Sequence, residues 1–97
     1  MKSPQQREER RSSVRSPTDD PASLHVLNPL SSAHSKVRVV EVSQEGLKLR
    51  VPELLHPGTM VQVRFRDRIV LGEVRYCLPA GAEFYIGVQI RDVFPNP

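Results

Sequence analysis

A chain of 97 residues has room for one domain, which excludes a two-domain enzyme. Hydrophobic residues make up 38% and charged residues 26%, with three Phe, two Tyr and no Trp, so any core is small and rests on aliphatic side chains. The formal net charge of +3 favours an anionic partner but falls short of the charge density of a protein that coats nucleic acid.

In chain order, Met1 to Pro21 carries hardly an apolar side chain, only Val14, while Ser, Gln, Pro, Arg and acidic residues crowd together. Such a composition cannot offset the entropy of ordering, so residues 1–21 are expected to form a flexible arm, with arginines in its first part and Asp19 and Asp20 behind them. A weak strand is expected at Ser23 to Leu27. From Lys36 the period becomes two, with Val37 and Val39 alternating with Lys36 and Arg38 as in a strand with one buried face. Leu47, Leu49 and Val51 alternate with Lys48 and Arg50, and Ser43-Gln44-Glu45-Gly46 between the two runs has turn chemistry, so together they read as a hairpin.

Pro52, Pro57 and Gly58 then interrupt the chain before Val61, Val63 and Phe65 alternate with Gln62, Arg64 and Arg66. Arg66-Asp67-Arg68 reads as a tight turn into a long strand, Ile69 to Leu78, whose Gly72 marks a bend or bulge. After a turn at Pro79-Ala80-Gly81-Ala82, the residues Phe84, Ile86, Val88 and Ile90 define a last strand, and no segment carries a helical period. Short antiparallel strands leave exposed edges unless the sheet closes, so the expected fold is all-β: a small antiparallel barrel of five to six strands over residues 22–94, preceded by the arm. A flat meander that hides its edge on a partner is the alternative.

Arg64, Arg66 and Arg68 around Phe65 could form a nucleic-acid stripe, but Phe65 alternates inward with Val61 and Val63, which favours a solvated basic face with Phe65 as a core aromatic. His25, His34 and His56 lack metal-ligand spacing and have no cysteine cluster beside them. Cys77 has no neighbouring base that would activate it and cannot form an internal disulfide. No catalytic or metal site is expected, and no cofactor. No apolar run approaches the ~18 residues of a membrane span, and the start of the chain lacks the apolar stretch of a secretory signal, so a reducing cytoplasm is the expected compartment.

Two motifs in this order resemble the PilZ domain family, bacterial receptors for cyclic di-GMP. Arg11-Ser12-Ser13-Val14-Arg15 matches the family's Arg-x-x-x-Arg element, of which Arg7 to Arg11 offers a second copy, and Glu41-Val42-Ser43-Gln44-Glu45-Gly46 approximates its Asp/Asn-x-Ser-x-x-Gly element. The stretches Gly72 to Tyr76 and Phe84 to Val88 look like the end of such a barrel. The resemblance covers about Arg11 to Arg91 and implies that Arg11, Arg15, Glu41, Ser43 and Gly46 bind the ligand. Guanidinium groups suit phosphate oxygens and guanine O6 and N7, and a carboxylate can accept from guanine N1–H and N2–H₂. A serine hydroxyl donates or accepts beside them, and a glycine gives either a positive φ or room for close approach. The departure is Glu41, which adds a methylene where the family has Asp or Asn. The resemblance further implies a protein effector in motility, pilus or exopolysaccharide systems. A family member that has lost its ligand and works as a protein-binding adaptor is the alternative.

Overall fold

The computed structural model describes residues 15–96. It contains six antiparallel strands: β1 (Ser16–Leu27), β2 (Leu30–Val42), β3 (Gly46–Val51), β4 (Met60–Phe65), β5 (Arg68–Ala80) and β6 (Glu83–Pro95). They close into a barrel in the order β1-β2-β3-β6-β5-β4, with β4 pairing back onto β1 from Ala22↔Phe65 to Val26↔Val61. Among the described residues no helix is long and apolar enough to cross a membrane.

The period-two pattern has a direct outcome in the core. Val37 and Val39 of β2, Leu47, Leu49 and Val51 of β3, Val61, Val63 and Phe65 of β4, and Ile86 and Val88 of β6 all point inward and are buried. Leu24, Val70 and Val74 complete the cluster, and among the described residues no buried side chain is polar or charged. β-Branched residues dominate because they pack well on the pleated surface of a tightly curved sheet.

Phe65 lies in the core as its alternation indicates, and Arg66 of the β4–β5 turn takes a left-handed φ of 59°. The bend at Gly72 is a register shift of β5 against β6 between Leu71 and Gly72. A Cβ on Gly72 would stand 2.5 Å from Val88 Cγ1 and 2.6 Å from the Gln89 carbonyl oxygen, so only glycine fits there.

Several strands run further than local periodicity shows. β1 starts at Ser16 rather than Ser23, so the boundary expected at 21/22 falls inside a strand, and β2 starts at Leu30 rather than Lys36. Both extensions exist because each strand has the other to pair with, Leu27↔Leu30 at one end and Ser16↔Val42 at the other, and such pairing needs no apolar alternation. Residues 1–14 of the expected arm lie outside the described residues.

Candidate functional site

The β2–β3 turn is built by its own side chains. Ser43 N–H donates to the Gly46 carbonyl at 2.9 Å, Gly46 N–H donates to Ser43 Oγ at 3.1 Å, and Ser43 Oγ–H donates back to the Gly46 carbonyl at 3.3 Å. The serine therefore closes the turn and retains one lone pair for an outside donor. Gly46 does not have the positive φ that a turn glycine could have used; the left-handed glycines among the described residues are Gly58 and Gly81. It serves close approach instead, since a Cβ would stand 2.8 Å from the Val88 carbonyl oxygen on β6.

Glu41 stands on the outer face of β2, where it pairs in register with Lys48. Its Oε1 lies 3.8 Å from Arg15 Nη1, and the arginine side chain is 74% exposed against 32% for the glutamate. Arg15 is the last residue before β1, so the strand that closes the barrel also delivers this cation to the rim of the turn. The structure thus brings Arg15, Glu41, Ser43 and Gly46 together around an open depression of about 320 Å³. Arg11 lies outside the described residues.

The rest of the wall comes from β3, β5 and β6. Lys48 stands with its Nζ 4.8 Å from the centre of the Tyr85 ring, and Arg75 Nη1 donates to Gln89 Oε1 at 3.1 Å. Among the described residues neither cation has a carboxylate within ion-pair distance. Tyr76 lies across Gly87, where a Cβ would collide with the ring. Tyr76 and three cations, Arg15, Lys48 and Arg75, therefore line the depression together with the carboxylates Glu41 and Glu45.

Alternation along β5 cannot identify Arg75 and Tyr76 as neighbours at this site. β5 is irregular between Val74, which pairs with Val88, and Tyr76, which pairs with Gly87, so both Arg75 and Tyr76 are exposed. Lys48 was legible, since it alternates outward between Leu47 and Leu49. The other basic cluster is arranged differently. Arg66 is tied to Asp20 at 2.9 Å, Arg68 to Asp67 at 3.6 Å, and the aromatic between Arg64 and Arg66 is buried. Cys77 is half-buried against the core, opposite Ile86.

The PilZ domain family model matches residues 5–96, nearly the whole chain. The chain therefore belongs to the PilZ domain family, whose members are receptor and adaptor domains of the cyclic di-GMP-binding type rather than enzymes. No curated protein matches it.

Proposed function

We propose that this chain is a cyclic di-GMP receptor of the bacterial cytoplasm that alters its surface on binding and so regulates a protein effector, in motility, pilus or exopolysaccharide systems. One observation carries the reading: Arg15, Glu41, Ser43 and Gly46, drawn from two separate motifs, line the same depression. Two phosphates and two guanines ask for directed donors and a stacking surface. Arg15, joined by Arg11, supplies guanidinium donors to phosphate oxygens or to guanine O6 and N7. The Glu41 carboxylate accepts from guanine N1–H and N2–H₂ once the ligand draws Arg15 away from it. Ser43 Oγ offers its remaining lone pair, Gly46 permits close approach, and Arg75 and Lys48 add cations that form no ion pair among the described residues.

Isothermal titration with cyclic di-GMP tests the reading. Saturable heat is expected, and no heat together with no change in melting temperature at about 100 μM ligand would overturn it. Arg15→Ala is expected to weaken binding about tenfold or more, the loss of one charge-assisted contact, while Arg7→Ala has a smaller effect. Equal losses at both positions would show that the arm binds through diffuse charge.

The ligand-free adaptor is the second reading, and Glu41 is the observation that favours it, because its longer side chain reaches Arg15 and occupies the acceptor with an internal partner. Under this reading Glu41→Asp creates or sharply strengthens cyclic di-GMP binding. Equal affinity in both proteins removes its support.

A further inference from the structure

The first part of β1, residues 16–21, is held differently from the rest of the barrel. Its pairing to β2 runs through Ser16↔Val42, Pro17↔Glu41, Asp20↔Val39 and Pro21↔Arg38 with a register break between Pro17 and Asp20, whereas pairing to β4 begins only at Ala22. The segment therefore has one neighbouring strand, and Pro17 and Pro21 donate no hydrogen bond to it. Ser16, Pro17, Asp19 and Pro21 are exposed and none of the six residues belongs to the core, so apolar burial does not hold it either.

Two arginines do. Arg38 Nε donates to Asp19 Oδ1 and its Nη2 to the Asp19 carbonyl, both at 2.8 Å, which grips side chain and backbone at once. Arg66 reaches across from the β4–β5 turn, with Nε 2.9 Å from Asp20 Oδ2 and Nη2 3.5 Å from Thr18 Oγ1. Thr18 Oγ1 in turn donates to Asp20 Oδ1. The arginine from the turn spans the place where no β4 pairing exists. Arg15 immediately precedes Ser16 at the open end of this segment.

We propose that Asp19 and Asp20 are positioning residues: the Arg38–Asp19 and Arg66–Asp20 pairs clamp residues 16–21 onto the barrel and thereby set where Arg15 stands over Glu41. The consequence for cyclic di-GMP rests on the receptor reading above; the clamp itself does not. Exposed ion pairs are individually weak and screened by salt, so the clamp is one that moderate changes in ionic conditions or in either partner can release.

The test uses the whole chain with Asp20→Arg, Arg66→Asp and the double charge swap, with Asp20→Asn as a variant that keeps shape and removes charge. Aspartate is well tolerated at the left-handed position of Arg66, so the swap leaves the turn intact. Three readouts are taken: hydrogen exchange of the non-proline amides of 16–20, nuclear Overhauser contacts between the Arg15 and Glu41 side chains, and the Kd for cyclic di-GMP. Each single variant is expected to speed exchange about two- to fivefold and to erase the Arg15–Glu41 contacts, and the double swap to restore both. The Kd is expected to weaken by a similar factor in the single variants and to recover in the swap. Unchanged exchange and contacts in the single variants, or loss that the swap does not repair, would overturn the clamp. Faster exchange with the Arg15–Glu41 contacts intact would overturn the positioning role, and lost contacts with an unchanged Kd would overturn its consequence for the ligand. A wild-type protein that gives no heat with the ligand removes the receptor reading instead, and the first two readouts still decide whether the clamp sets Arg15.

Discussion

Three glycines on the sheet show how differently one methyl group is received. At Gly72 an added Cβ meets Val88 Cγ1 and the Gln89 carbonyl, and the backbone cannot withdraw without opening the β5–β6 pairing. At Gly46 it meets the Val88 carbonyl in the same way. At Gly87 the obstacle is the ring of Tyr76, an exposed side chain that can swing outward. Gly72→Ala is therefore expected to lower stability by about 1–3 kcal/mol, as overpacking does, and Gly87→Ala by less than that. Denaturant unfolding checks the first, and displaced Tyr76 ring signals in the NMR spectrum check the second. A Gly87→Ala loss as large as that of Gly72→Ala would mean that the ring is fixed in place.

Asp20 carries a prediction at the same scale. Hydrogen bonds from Arg66 and then Thr18 hold its carboxyl below the ordinary value of about 3.8. A depressed carboxylate contributes stability above its unfolded pKa and loses that contribution as pH falls through the folded value. The stability difference between the wild type and Asp20→Asn is thus expected to be full at neutral pH and to shrink below about pH 3.8. Thermal melts of the two proteins from pH 7 to pH 2.5 measure it, and a difference that grows on acidification would contradict the assignment.

At the scale of the strand, each element has an inner row that makes the barrel and an outer row that makes the site. Leu49 and Ile86 are fully buried and face each other in register across β3 and β6. Truncating either to alanine is expected to cost about 2–5 kcal/mol, through lost transfer energy and the cavity left behind. Arg64→Ala on the outer face of β4 is expected to stay within about 0.5 kcal/mol of the wild type. Urea midpoints with unchanged slopes would verify both, and a large effect of Arg64→Ala would reveal a contact that a solvated outer-face residue does not make.

The two rows also explain what each strand disclosed in its sequence. β3 and β4 are short, regular and bounded by turn residues, so their limits follow from alternation alone. β5 breaks its own alternation twice against β6, between Leu71 and Gly72 and between Val74 and Tyr76. A glycine announced the first break, whereas nothing in Val74-Arg75-Tyr76 announces the second.

For the whole molecule, closure joins the two halves of the candidate site. β1 pairs with β2 on one side and β4 on the other, and its N-terminal end brings Arg15 to the turn that β2 and β3 form. Ligand binding that draws on both is therefore expected to stabilise the entire barrel. At a free cyclic di-GMP concentration of one hundred times Kd, linkage contributes about 2.7 kcal/mol, which for a domain of this size raises the melting temperature by at least about 10 °C. Differential scanning fluorimetry reads that rise, and Arg15→Ala at the same ligand concentration is expected to lose most of it. A rise that Arg15→Ala leaves unchanged would place the binding energy elsewhere on the surface.

The all-β class, the β2–β3 hairpin, the inward set from Val37 to Val88 and the two motifs that resemble a PilZ domain are legible in the order of residues alone. Those are local properties: side-chain alternation follows from strand geometry, and turns from the residues within them. That residues 16–21 are strand follows from contacts across the fold, because their partners, Arg38 and Arg66, stand 19 and 46 positions away from the aspartates they hold. Only the tertiary structure places Arg75 and Tyr76 on a wall shared with Arg15 and Glu41. That neighbourhood arises from a register break and from closure of the barrel, and both depend on which strands pair across the fold rather than on the order of residues within any one of them.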